Sequence, residues 1–456
     1  MKNSVRRKRI VSFLLSFLIA AVLTLLIKEP GFTYSQVYVM FLLFFSVGLW
    51  LTEAIPAFAV SLFIIAFLVF ALGNPHLNSA PENIDKYAQT FSSNVIWLML
   101  GGFFLASALS KTKLDETLFN FTLKIAGSKP RNLLVALMVT TMVASNLMSN
   151  TATAAMVIAA VTPLISVLGK NSGVTKAILL GIPISAATGG MGTIIGTPPN
   201  AIAVGALENA GIEIDFINWM LFGLPISILL TAVSCLVLIR LFLKKNKPIT
   251  LNLATGDGTE IPKEMLFQRK IVVGVILVTV GLWLTTSLHG IKVAAICAVP
   301  LVTLTLTRIL EGKDVQNLPW DTLLLVAGGL SLGLALENTG LLQHYTQKLV
   351  SFEINKLVMM FIFAFLTMIV SNIMSNTAAS TIMIPVGMAI LPEFKAEAAL
   401  IIALASSTAM FLPVSSPPNA IVYSTGYLEQ KDLRIGGTLI GLLGPLLAII
   451  WVLLIS

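Results

Sequence analysis

Long apolar stretches separated by short polar ones set the rhythm of this chain. A helix rises 1.5 Å per residue, so about 20 mostly apolar residues cross the roughly 30 Å of bilayer hydrocarbon. Such stretches run over 10–27, 36–51, 57–72, 94–109, 177–206, 218–242, 271–288, 293–306, 322–336, 397–423 and 435–455, which predicts eleven spans. Two further runs, 133–168 and 357–391, are too long for one span and carry a polar cluster at their centres. A helix that enters halfway, turns at the cluster and returns accounts for both features. Non-helical backbone at that depth is tolerated only inside protein or along a wet cavity.

Composition agrees. Of 456 residues, 56% are hydrophobic and 11% are charged, whereas a soluble domain carries about 25% charged residues. The basic stretch Arg6-Arg7-Lys8-Arg9 before the first run has the look of a signal peptide. However, the apolar run is longer than a usual h-region and no A-x-A-like cleavage site follows, so it reads as a retained helix. With the N-terminus cytoplasmic and both interrupted runs re-entrant, cytoplasmic segments hold 23 of the 29 lysines and arginines. Only Lys28, Lys86, Lys292, Lys348, Lys356 and Lys395 fall outside. That is the excess of inside positive charge that sets orientation, and it explains the net charge of +8 without any nucleic-acid partner. The expected location is a cell membrane, multi-pass, with the C-terminus extracytoplasmic.

The chain also repeats itself. VGLWLT stands at 47–52 and 280–285, SNLMSNTA at 145–152 answers SNIMSNTA at 371–378, and TPPNAI at 197–202 answers SPPNAI at 416–421. Gly101-Gly102 and Gly328-Gly329 recur in the same order. The predicted fold is an all-α polytopic membrane protein of eleven transmembrane helices and two re-entrant hairpins. Residues 1–35 hold the cytoplasmic tail and first helix, 36–242 the first repeat (hairpin 131–168), 243–270 a basic cytoplasmic linker, and 271–456 the second repeat (hairpin 356–392). Each repeat has five spans, so the second is inverted. Inverted repeats with interrupted helices are the build of secondary transporters, whose sites lie near the midplane at the repeat interface. An inverted-repeat anion channel is the alternative.

The chemistry available at depth is neutral. No acidic residue sits deep in a span, which disfavours carboxylate proton relays. The histidines His76, His289 and His344 fall in connecting segments, and Cys235 and Cys297 lie in apolar runs. An intramembrane serine protease would lack a base, and no HExxH-type metal motif occurs. What remains is Ser145, Asn146, Ser149, Asn150 and Thr151 in one cluster, with Ser371, Asn372, Ser375, Asn376 and Thr377 in the other. Freed carbonyls and side-chain oxygens at a helix break can coordinate a hard cation such as sodium. The N–H groups opening a returning half-helix, with Asn and Thr donors, suit a carboxylate. The paired prolines Pro198-Pro199 and Pro417-Pro418 cannot lie inside a continuous helix and unwind their spans.

Together, Ser149-Asn150-Thr151, Ser375-Asn376-Thr377, the two PPNAI breaks and Trp50-Leu51-Thr52-Glu53-Ala54-Ile55-Pro56 resemble the divalent anion:sodium symporter family. These INDY-type carriers move dicarboxylates, citrate and sulfate, and the resemblance covers nearly the whole chain. It implies a homodimer in which each protomer has a fixed scaffold and a transport domain that moves like an elevator. It implies that Asn150, Thr151, Asn376 and Thr377 contact the substrate carboxylates, with Ser149, Ser375, Pro198 and Pro417 at the same site. Ser145, Ser149, Asn150 and the Gly196 carbonyl would form a first sodium site, and Ser371, Asn376 and the Ser415 carbonyl a second. Family members often carry Thr at the position of Ser371 and Ala-Thr where this chain has Ser415-Ser416. The expected function is sodium-coupled symport of C4/C5 dicarboxylates (succinate, malate, fumarate or 2-oxoglutarate), with no organic cofactor and no enzymatic activity. Sodium-independent dicarboxylate exchange and carriage of sulfate or citrate stay open as alternatives.

Overall fold

The computed structural model describes residues 2–78, 83–243, 262–350 and 355–456, and every regular element among them is helical. After α1 (Lys2–Ile27) come α2 (Tyr34–Thr52), α3 (Ala57–Gly73), α4 (Asp85–Ala88), α5 (Asn94–Lys111), α6 (Leu114–Ala126), α7 (Pro130–Ser145), α8 (Asn150–Leu168), α9 (Gly173–Gly190), α10 (Pro198–Asn209) and α11 (Phe216–Phe242). The second half holds α12 (Lys263–Leu284), α13 (Thr286–His289), α14 (Val293–Ile296), α15 (Ala298–Leu306), α16 (Gly312–Gln316) and α17 (Trp320–Asn338). It continues with α18 (Leu341–Val350), α19 (Lys356–Ile373), α20 (Asn376–Ile390), α21 (Lys395–Ser406), α22 (Pro417–Ser424) and α23 (Gln430–Ile455). The order shows the duplication: α5 answers to α17, α6 to α18, α7–α8 to α19–α20, α9–α10 to α21–α22, and α11 to α23. Most of the basic 243–270 stretch lies outside the described residues.

Both interrupted runs are helix pairs broken at their polar clusters. A new helix start leaves its first N–H groups without intrahelical partners. Serine hydroxyls meet that need: Ser149 caps α8 and Ser375 caps α20, each accepting from the N–H of the third residue on, Ala152 or Ala378, at 3.2 Å. Helix length alone does not separate spans from hairpin arms. Among the described residues, nine helical segments are long and apolar enough to cross a bilayer, and α8 and α19 are two of them. The shorter apolar helices include α3, α7, α20 and the segment Val293–Leu306. The predicted total of eleven therefore does not follow from helix length.

Besides the short turns α4 and α16, two longer helices were not foreseen. α6 and α18 are amphipathic and join each long helix, α5 or α17, to the hairpin that follows. On α6, Phe119 and Leu123 are buried while Leu118, Phe121 and Ile125 are exposed. Charged and polar residues such as Asp115, Glu116 and Lys124, or Gln343, His344 and Lys348, dilute their hydropathy below that of a span. A search for continuous apolar runs passes over such helices.

Tertiary packing exchanges partners between the repeats. α17 of the second half packs along α3 of the first, and α5 of the first packs on α14 and α15 of the second. The recurring Gly-Gly pairs sit at these crossings. A Cβ on Gly328 would lie 2.3 Å from Ser61 Cβ on α3, and one on Gly101 would lie 2.7 Å from Cys297 Sγ. In hydrocarbon, where burial of apolar surface drives little association, close backbone approach of this kind holds helices together.

Candidate functional site

Each hairpin tip gathers oxygen atoms without charge. Ser145 is fully buried, and its Oγ lies 2.7 Å from Asn150 Oδ1 and 2.7 Å from the Ala186 carbonyl of α9. Ser371 repeats this, with Oγ 2.8 Å from Asn376 Oδ1 and 2.8 Å from the Ser406 carbonyl of α21. A serine hydroxyl has one hydrogen to donate, so each trio of oxygens shares a single proton. Such a set suits a small hard cation, which takes oxygen ligands. No Asp, Glu, His, Lys or Arg takes part in these hydrogen bonds.

The chain breaks lie against the tips. α9 ends at Gly190 and α10 opens at Pro198, while α21 ends at Ser406 and α22 opens at Pro417. Each proline occupies the first helical position, where its missing N–H costs nothing. Between them the backbone is unwound, and one asparagine in each copy gathers its carbonyls. Asn200 Nδ2 donates to Gly190 O at 2.9 Å and Thr193 O at 2.7 Å, with Met191 O at 3.4 Å. Asn419 Nδ2 donates to Met410 O at 2.9 Å and Leu412 O at 3.0 Å. Both asparagines are fully buried. Sequence reading quoted them within PPNAI but passed them over as site residues, although a repeated buried amide was the signal. Asn200→Ala is expected to cost about 2–3 kcal/mol of stability, because carbonyls in a protein interior lose their donor. A thermal melt of the purified protein, compared with Ala203→Gly as a control for the same helix, checks this.

The predicted residues fall into two groups. Ser145, Ser149, Asn150 and Thr151 share one tip, and Thr193 Oγ1 donates to the Asn146 carbonyl at 2.6 Å, docking that tip on the loop that carries Gly196. Ser371, Ser375, Asn376 and Thr377 share the other, where the Phe411 N–H donates to Asn372 Oδ1 at 2.8 Å and Ser415 Oγ does so at 2.9 Å. Ser149, Thr151 and Ser375 are exposed, Asn150, Asn376 and Thr377 half-buried, and Gly196 and Ser415 buried. Pro198 is half-buried and Pro417 exposed. Each tip thus meets the break of its own repeat, yet the helix leaving that break crosses over. α10 packs on α20 and α21, and α22 packs on α8 and α9. The two clusters are tied together through these crossings.

A family model described as the sodium:sulfate symporter transmembrane region matches residues 7–456. The chain belongs to this family of divalent anion:sodium symporters. Membership makes it a multi-span membrane transporter rather than an enzyme. The chain is 29% identical to the sodium-dependent dicarboxylate transporter SdcS of Staphylococcus saprophyticus, over 92% of this chain and 86% of that protein. It is 27% identical to SdcS of Staphylococcus aureus over 94% of this chain and 88% of that one. An uncharacterised transporter of Haemophilus influenzae is 31% identical over 88% of each. Among solved structures, the Alcanivorax borkumensis YdaH transporter is similar at a TM-score of 0.59, covering 88% of this chain and 99% of that one. Neisseria gonorrhoeae MtrF is similar at 0.57, covering 90% and 98%. Both are 12% identical, so the likeness is one of fold alone.

Proposed function

We propose that this symporter carries C4/C5 dicarboxylates by sodium-coupled transport, with substrate between the two hairpin tips and one cation site beside each. The observation that supports this most is the pair of matching oxygen trios, Ser145–Asn150–Ala186 and Ser371–Asn376–Ser406, each behind the N-terminus of a half-helix. The first N–H groups of α8 and α20 place positive partial charge at the tips, and Thr151 and Thr377 add hydroxyl donors beside them, which suits a carboxylate at each tip. The Asn150 and Asn376 carbonyl oxygens turn the other way, toward the serine and helix carbonyls that would hold sodium. The same asparagines thus face cation and anion, and coupling follows from that sharing. The SdcS relatives are sodium-dependent dicarboxylate transporters, which supports the same reading.

The electrical cost points to the cation. A dianion moved alone against 100 mV faces about 4.6 kcal/mol, at about 2.3 kcal/mol per charge. Two sodium ions, one per tip, cancel that cost, and a third would let the potential assist. The movement belongs to the element carrying both hairpins, sliding against a scaffold within a homodimer.

Reconstitution in liposomes tests the proposal. Radiolabelled succinate uptake is expected in empty vesicles only under an inward sodium gradient. Because no titratable side chain among the described residues joins the clusters' hydrogen bonds, uptake is expected to rise with pH along the substrate's dianion fraction and then level off. Uptake that ignores sodium and requires vesicles preloaded with dicarboxylate would instead make the protein an exchanger. Sodium-driven uptake of sulfate or citrate with none of succinate would replace the substrate class.

A further inference from the structure

The two tips differ at one position, and the difference bears on cation binding. Asn146 and Asn372 correspond in the repeat, and each anchors its carboxamide identically. Asn146 Nδ2 donates to Met142 O at 2.8 Å, and Asn372 Nδ2 donates to Met368 O at 2.9 Å. These bonds orient both oxygens toward the break loops. Asn372 Oδ1 is then satisfied twice, by the Phe411 N–H and the Ser415 hydroxyl. Asn146 Oδ1 is buried with no donor among the described residues.

The local backbone explains why. The residue matching Phe411 is Gly192, whose N–H is already spent on the Gly189 carbonyl at 2.9 Å, where the end of α9 coils one turn further. The residue matching Ser415 is Gly196, which has no hydroxyl and no room for one, since a Cβ there would lie 2.5 Å from the Gly190 carbonyl oxygen. Both donors of the second tip are therefore missing from the first. Asn146 Oδ1 nonetheless presses on this loop, because a Cβ on Gly192 would lie 2.2 Å from it. A Cβ on Gly190 in the same segment would lie 2.3 Å from Asn150 Oδ1, so two asparagine oxygens lean on one glycine-rich turn. A buried amide oxygen without a donor calls for an explanation; Asn200 and Asn419 Oδ1 share that state in both breaks alike, whereas Asn146 holds it in one tip and its counterpart Asn372 does not.

The geometry points to Asn146 Oδ1 as a further oxygen ligand of the first sodium site, one that the second site lacks because Phe411 and Ser415 hold Asn372. This rests on the sodium-coupled reading and adds to it that the sites are unequal. The first has one more neutral oxygen and takes sodium at lower concentration. Affinity for a hard cation rises with the number and charge of its oxygen ligands.

Sodium binding to the purified protein tests this without transport. A ligand that binds the folded state raises the melting temperature with concentration, so melts are recorded across a sodium series at constant ionic strength with choline. For wild type, sodium-specific stabilisation is expected. Asn146→Ala is expected to raise the sodium concentration for half-maximal stabilisation about tenfold, the lower end of effects seen when groups around a metal site are lost. Asn146→Asp keeps the oxygen, adds charge and is expected to lower that concentration severalfold. Should Asn146→Ala not fold, the Asp variant decides alone. Midpoints for both Asn146 variants within twofold of wild type would overturn the inference while leaving sodium coupling intact. No sodium-specific stabilisation of wild type would overturn the coupled reading and this inference with it.

Discussion

Asn150→Ala and Asn376→Ala are each expected to reduce sodium-driven dicarboxylate uptake about 100-fold or more while the protein still folds. Each asparagine opens a half-helix and points its Oδ1 at a buried serine, Ser145 at 2.7 Å or Ser371 at 2.8 Å. In the proposed mechanism the side chain supplies an oxygen to sodium and a donor to a carboxylate. A hydrogen bond to a charged group contributes about 1.5–3 kcal/mol, and about 1.4 kcal/mol is tenfold in affinity, so losing both contacts carries the variant past 100-fold. Folding is affected less, because the helix keeps its Ser149 or Ser375 cap and the asparagine is only half-buried. Liposome uptake with a parallel thermal melt checks both halves. Undiminished flux through either variant would mean that the tips do not bind the substrate, and would favour a channel.

Gly190→Ala carries the second large expectation, a comparable loss of uptake from a single added methyl group. That methyl would lie 2.3 Å from Asn150 Oδ1 and 3.1 Å from its Nδ2. α9 cannot retreat, since its residues are buried almost throughout and it packs between α7, α8 and α11. The Asn150 carboxamide must yield instead, and its 2.7 Å contact with Ser145 goes with it. Overpacking of this kind costs about 1–3 kcal/mol of stability, but the loss of function exceeds the loss of stability because the displaced group is the shared one. The matching position of the second repeat is Ala409, fully buried and already carrying a methyl group. Ala409→Gly is therefore expected to keep most of the uptake. Wild-type transport by Gly190→Ala would show that the Asn150 oxygen need not sit where it does.

Much of the site could be read from the chain because polar residues are expensive in hydrocarbon. Ser-Asn pairs and Pro-Pro pairs inside apolar runs demand a local reason, and their recurrence in order supplied one. The helices break within the two Ser-Asn clusters and just before the two proline pairs, the interruptions that reasoning called for. α6 and α18 escaped it because an amphipathic helix spends half its residues on polarity and so shows no continuous run. Asn200 and Asn419 escaped because their work is done on carbonyls up to ten residues away, in a loop whose course no periodicity describes.

The sequence by itself determined that the protein is a membrane transporter built from two copies of one unit, and where each unit breaks. Periodicity, charge placement and motif order are properties of the linear chain, and each reports the cost of putting a residue in lipid or water. Only the tertiary structure decided how the copies interlock: α10 on α20 and α21, α22 on α8 and α9, α3 along α17. Apolar residues are interchangeable partners in hydrocarbon, so nothing in their order says which helix meets which. The inequality of the two tips was equally hidden. Asn146 and Asn372 are the same residue in the same motif. They differ because one extra turn of α9 consumes the Gly192 N–H, where Phe411 gives its own to Asn372, and because Gly196 stands where Ser415 donates a hydroxyl.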